Sequence, residues 1–134
     1  MTTALAPSYD APLMAWRYAA PEFPFTTYYR RYLMPAYWLA RSRVYDAVEY
    51  KKYTDRVPAI VAKFKGKVLS RGAPYQIREG SGHFHRFVVI EFPTMADAVA
   101  CHESPEYQEA SAYRKANGAG EVDLVFTESG DGTK

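Results

Sequence analysis

Phe84-His85-Arg86-Phe87-Val88-Val89-Ile90-Glu91-Phe92 is the strongest strand signal in the chain, and Pro93 ends it by removing the next backbone donor. Ahead of it, Gly80-Ser81-Gly82 supplies a hairpin loop. The partner strand reads as Val68-Leu69-Ser70-Arg71 continued by Tyr75-Gln76-Ile77-Arg78-Glu79, with a bulge or bend at Gly72-Ala73-Pro74. Each side of this hairpin then carries one strand and one helical stretch. Upstream, Tyr37-Trp38-Leu39-Ala40-Arg41-Ser42-Arg43-Val44 is rich in aromatic and apolar residues and predicts a first strand. Asp46 with Glu49 three residues on has the capping-box pattern, and Tyr50, Tyr53, Val57, Ile60, Val61 and Phe64 keep a helical spacing to Gly66. Pro58 must kink that helix or begin a second one. Downstream, Thr94 with Asp97 starts a helix, and Ser104-Pro105-Glu106 restarts it with a cap, a proline at the first position and an acid in the first turn. Glu121 to Thr127 alternates as a fourth strand.

The order β-α-β-β-α-β is that of an α+β, ferredoxin-like domain, expected over residues 36–127 with a frayed tail at 128–134. Two helical layers on one face of the sheet leave the other face to meet water or another sheet. Period-two alternation sends Trp38, Ala40, Val44, Val88, Ile90, Phe92, Val122, Leu124 and Phe126 beneath the helices. The opposite set is mixed: Tyr37, Leu39, Arg41, Arg43, Leu69, Arg71, His85, Phe87, Val89, Glu91, Asp123 and Val125. A solvated sheet does not need those apolar members, and a dry sandwich does not tolerate those charges unpaired. A homodimer that encloses a pocket between two such faces satisfies both demands.

Composition narrows the function classes. In 134 residues, 48% are hydrophobic and 24% charged, an ordinary globular balance for one domain. A net charge of +2 with both signs interspersed gives no footprint for nucleic acid, and no apolar run approaches the roughly 18 residues of a membrane-spanning helix. The N-terminus shows neither a basic stretch nor an apolar one of a signal peptide, and the single cysteine, Cys101, agrees with a reducing compartment, so the expected location is cytoplasmic. Residues 1–35 stand apart, because five prolines interrupt any helix while Tyr9, Trp16, Tyr18, Phe23, Phe25, Tyr28, Tyr29 and Tyr32 are too apolar for a solvated linker. An extended aromatic arm packed on its own domain or on a partner is expected there, with partial disorder as the alternative.

The candidate chemistry gathers on the mixed face. Arg71, Arg41 and His85 with Glu91 and Asp123 can hold an anionic substrate, with His85 as a general base, or can equally form an ion-pair network that sets the dimer register. Tyr37 and Phe87 line the same face, and Tyr107 and Arg114, seven apart on one helix side, can reach the pocket rim or pack as a core tyrosine and a surface arginine. His83 and His85 lie two apart, but spacing identifies no third ligand, and no metal or cofactor is assigned. Nucleotide fingerprints, a nucleophile elbow and HExxH are absent.

Tyr37-Trp38, Tyr50 with Tyr53, Leu69-Ser70-Arg71-Gly72, Arg86 followed by Val88-Val89-Ile90-Glu91-Phe92-Pro93, and Ser104-Pro105-Glu106-Tyr107 with Arg114 resemble a bacterial family, domain of unknown function 1330 (DUF1330). The resemblance covers about residues 36–127. It implies a dimeric α/β barrel of two facing ferredoxin-like sheets, an architecture whose related superfamilies include cofactor-independent monooxygenases, polyketide cyclases, lactone isomerases and haem-using enzymes. The family itself has no general assigned activity. This chain departs from the pattern at Ala73, where the family has a second glycine, and in the aromatic arm. The expected function is therefore to bind a small anionic or carbonyl-bearing molecule, as a cofactor-independent lyase, isomerase, cyclase or monooxygenase or as a binding protein. The alternative is a non-catalytic assembly module that uses the arm.

Overall fold

The computed structural model describes residues 34–133, so the expected arm lies outside the described residues except for Met34 and Pro35. Strand β1 spans Ala36–Val44. Asp46 then caps helix α1, Ala47–Thr54, its carboxylate accepting from the Val48 and Glu49 amides, both at 3.1 Å. The capping box is only half made, because the Glu49 carboxylate turns to Lys52 at 2.6 Å instead of back to the cap. Pro58 opens a second helix, α2, Val57–Lys63, so the proline restarts the helix where a missing N–H costs nothing.

Gly66 lets the chain turn down to the sheet: a Cβ there would stand 2.5 Å from Val61 and 2.8 Å from the Phe92 ring, both fully buried. Strand β2, Lys67–Arg71, follows and is shorter than the sequence predicts. Residues 72–85 form a loop, and the expected strand Tyr75–Glu79 is not formed. Gly72, at φ +65°, turns the backbone out of the ladder, and Pro74 has no amide to give back to it. Strand β3, Arg86–Phe92, is followed by α3, Met95–Glu103, and α4, Pro105–Lys115. Thr94 and Ser104 cap them, accepting from Asp97 at 3.0 Å and Tyr107 at 3.1 Å. A turn with Asn117 and Gly118 at positive φ leads into β4, Gly120–Glu128.

The four strands make one antiparallel sheet in the order β2-β3-β1-β4, the split βαβ arrangement of a ferredoxin-like α+β fold. The core lies on one face. Trp38 stacks on Phe92, meets Tyr107 edge-on and packs against Phe126, and Tyr50, Tyr53, Val57, Val61, Ala98, Cys101 and Ala110 come down on it from the helices.

Candidate functional site

β1 lies between β3 and β4 without a slip, so its register assigns the two faces directly. On the open face Tyr37 stands opposite Glu91, Leu39 opposite Val89 and Val125, and Arg41 opposite Phe87 and Asp123. Cross-strand neighbours at this spacing can pair, and they do. Arg41 donates from Nε and Nη2 to the Asp123 carboxylate at 3.1 and 3.0 Å, its guanidinium lies 4.4 Å over the Phe84 ring, and the Tyr37 hydroxyl reaches Glu91 at 3.4 Å. Between these pairs Leu39, Phe87, Val89 and Val125 floor a shallow concavity of about 420 Å³. Five of the expected site residues, Arg41, Tyr37, Phe87, Glu91 and Asp123, therefore share one face.

The other four do not join them. β2 carries a bulge between Val68 and Ser70, which leaves Leu69 out of the ladder and brings Arg71 opposite Val88, an inward position. One extra residue moves every later side chain to the other face, so Arg71 lies on the helix side and not on the barrel-lining face expected for it. His85 precedes β3, and its Nε2 accepts the Val44 amide at 3.0 Å while its own amide donates to the Ser42 carbonyl. That contact ties the ring to the end of β1, away from the open-face pairs. His83 is also engaged, pairing with Glu121 at 2.8 Å. Tyr107 and Arg114 are both buried beneath the helices, so neither sits at a pocket rim.

Tyr107, Tyr53 and Arg114 form a buried polar cluster instead. The Tyr53 and Tyr107 hydroxyls are 2.9 Å apart, Arg114 Nη2 donates to the Tyr107 oxygen at 3.4 Å, and the guanidinium lies 5.0 Å from the Tyr53 ring centre. Arg114 is 7% exposed, and among the described residues no carboxylate pairs with it. Burial opposes its charge, but the surrounding phenol oxygens hold its pKa above the ordinary value. Burial, and then the neighbouring Tyr107, push the Tyr53 phenol well up.

Beside this cluster lies a cleft that follows from side-chain volume. The inward residues of β1 run Trp38, Ala40, Ser42, so two small side chains succeed a large one under α1. The gap, about 30 Å³, is floored by Trp38, Val88, Ile90 and Val122 and roofed by Tyr50 and Tyr53. Its mouth is marked by exposed Pro58, Val68 and Arg71. Arg86, paired with Ser42 across the ladder, lines it as well, with its guanidinium 5.8 Å from the Tyr50 ring centre. Neither Arg71 nor Arg86 has a carboxylate partner among the described residues, and no acidic residue lines the cleft. Ser42 Oγ, in a residue 2% exposed, has no hydrogen-bond partner among the described residues. The cleft thus presents donors and an apolar floor, a lining that receives an oxygen anion or a carbonyl oxygen.

Sequence reasoning passed over Ser42, Arg86, Tyr50 and Tyr53 as cleft-lining residues. The available signal was the fall in volume along Trp38, Ala40 and Ser42. Among the described residues no group of three or more His, Cys, Asp or Glu comes together to hold a metal, and no described helix is long and apolar enough to cross a membrane.

The fold is similar to that of a protein of unknown function from Rhodopseudomonas palustris, 20% identical, with a TM-score of 0.59 over 81% of this chain and 96% of that one. A methylated form of that protein aligns over 100% of both chains at 19% identity and a TM-score of 0.58. SnoaB, a cofactor-independent oxygenase from Streptomyces nogalater, is similar at 10% identity and a TM-score of 0.52, over 72% of this chain and 94% of that one. Identities this low establish a shared fold. Among curated proteins none matches the sequence. The strand ending in Glu91-Phe92-Pro93 and the capped helix start at Ser104-Pro105-Glu106-Tyr107 lie within a match to a single family model over residues 35–128, and the chain belongs to that family, domain of unknown function DUF1330.

Proposed function

We propose that the chain works as a homodimer, two open sheet faces closing into a barrel, and that each protomer takes a small anionic or carbonyl-bearing organic molecule in the helix-side cleft. The observation that carries this reading is the pair Arg71 and Arg86, two guanidiniums without carboxylate partners at one apolar cleft. Arg86 is half-buried, where an unpaired guanidinium is costly unless a ligand supplies the anion, Arg71 is exposed at the mouth, and a planar carboxylate matches the fork of donors that each presents. This reading gives Arg71 a ligand-binding role on the helix side, in place of the one expected for it on the barrel-lining face.

In its catalytic form the site stabilises charge on a bound oxygen. Donors fixed before binding favour a state in which negative charge develops on a bound carbonyl oxygen, and any α-proton would have to leave to a base outside the described lining. The described lining holds no carboxylate or imidazole to act as a base, so the cleft fits oxyanion stabilisation better than proton abstraction. SnoaB is the precedent on this fold for work without a cofactor.

The test is thermal stabilisation of the full chain by benzoate, phenylacetate and pyruvate, repeated with Arg71→Ala and Arg86→Ala. At least one carboxylate should raise the melting temperature of the wild type, and the rise should shrink in each variant and with added salt. A panel without effect, or a shift that survives both substitutions, overturns the reading.

A further inference from the structure

We infer that the Ser42 hydroxyl is the deep contact of this cleft, and that the group it receives is a carboxylate leading an otherwise apolar molecule. The inference rests on the cleft being a ligand site and names what enters first. A buried hydroxyl usually finds a partner in its own protein, commonly a nearby carbonyl oxygen, or in an ordered water. The Ser42 carbonyl accepts from His85, but its Oγ is unpartnered among the described residues, in a residue 2% exposed. Its neighbours across the sheet are Val122 on β4 and Arg86 on β3, and the Arg86 guanidinium offers donors only. Among the described residues nothing satisfies Ser42 Oγ, and the cleft it lines is where a water or a ligand oxygen can reach it.

The shape of the cavity selects the incoming group. The cleft, about 30 Å³, has room for a water or for the oxygens of a small planar head, so the bulk of any ligand must stay outside it, against Val68 and Pro58. The head meets hydroxyl and guanidinium donors and no acidic side chain. A cation is repelled there, and a neutral head leaves two guanidiniums without a counter-charge. A planar carboxylate uses Arg86 and the Ser42 hydroxyl at once and keeps Arg71 at the entrance as an attracting charge.

Two substitutions that are isosteric with each other, each one methyl larger than serine, separate the hydroxyl from the space it occupies: Ser42→Thr keeps the donor and Ser42→Val has a methyl in its place. Ser42→Ala removes it without adding volume. Affinity is measured by calorimetry for whichever of benzoate, phenylacetate and pyruvate binds the wild type best, and for the uncharged amide of the same acid. Ser42→Ala and Ser42→Val should weaken the carboxylate about tenfold or more, the size of a hydrogen bond to a charged group, while Ser42→Thr stays within a few-fold of wild type. The melting temperature of unliganded Ser42→Ala should be unchanged or higher. If the carboxylate binds in an Arg86-dependent manner and Ser42→Ala leaves affinity unaltered, Ser42 is no contact and this inference fails while the cleft stands. If Ser42→Ala instead lowers unliganded stability without touching affinity, the hydroxyl serves a structural water. Amide binding as tight as the acid overturns the carboxylate assignment. If none of the three acids binds, the cleft reading fails and this inference falls with it.

Discussion

Tyr107→Phe deletes one oxygen from the buried cluster and leaves two partners without a bond. The Tyr107 hydroxyl is 2.9 Å from that of Tyr53 and accepts from Arg114 at 3.4 Å, in a residue 1% exposed. Loss of a neutral buried hydrogen bond costs about 1 kcal/mol, and loss of one to a charged donor about 1.5 kcal/mol at its weak, long end. Water does not reach the orphaned groups to compensate, so the expected destabilisation is about 2.5 kcal/mol, or roughly 10 °C in melting temperature for a domain of this size. Tyr53→Phe removes the neutral bond and the weaker contact of its oxygen with Arg114 but leaves Arg114 bonded to Tyr107, so it should cost about 1 kcal/mol and less than Tyr107→Phe. The double variant should cost less than the sum, because the two share a bond. Urea unfolding at constant slope measures all three. A Tyr107→Phe loss below 1 kcal/mol, or one no larger than that of Tyr53→Phe, would show that Arg114 does not depend on this phenol and would refute the reasoning.

The same cluster sets an alkaline limit. Burial, and then Tyr107, raise the Tyr53 pKa above its ordinary value of 10.0, so the folded state keeps a proton that the unfolded chain releases. That contribution is full below pH 10 and is lost as pH rises beyond it, and Tyr53→Phe should flatten the decline in a pH series of unfolding free energies. For the proposed dimer, Leu39→Glu and Val125→Glu place charges at positions 39% and 57% exposed in the protomer. Exposed substitutions change folding stability little, so the protein should remain folded while sedimentation shows it dissociating to monomer. A dimer unaffected by both would place any interface elsewhere.

How far the sequence was legible depended on whether alternation survived along each strand. β1, β3 and β4 pair without a slip, so Tyr37, Arg41, Phe87, Glu91 and Asp123 could be assigned to one face by counting in twos. β2 could not, because the bulge at Leu69 has no glycine or proline within it to announce it, and one uncounted residue carried Arg71 to the helix side. On α4 the spacing of Tyr107 and Arg114 was correctly read as one helix face, yet spacing does not say whether that face looks inward. The buried face is Tyr107, Ala110, Ser111 and Arg114, and an arginine in that set reads as surface until its phenol partners, fifty or more residues away at Tyr53 or one helix face along at Tyr107, are placed beside it. The caps were legible throughout, since Asp46, Thr94 and Ser104 act on amides two or three residues away.

The difference between the two faces is one of saturation more than of polarity. On the open face Arg41 has Asp123 and Tyr37 has Glu91, so covering it with a second copy removes apolar surface from water without orphaning those charges. On the helix side Ser42, Arg71 and Arg86 have no such partners among the described residues, and covering them with a protein surface of apolar residues would be unfavourable. A ligand that brings its own acceptors reverses that sign. This is why the proposed reading gives the face with more visible charge to the dimer and the face with small inward residues to the ligand, and why the two can be broken independently: Leu39→Glu should cost assembly and spare the cleft, and Arg86→Ala should cost ligand binding and spare assembly.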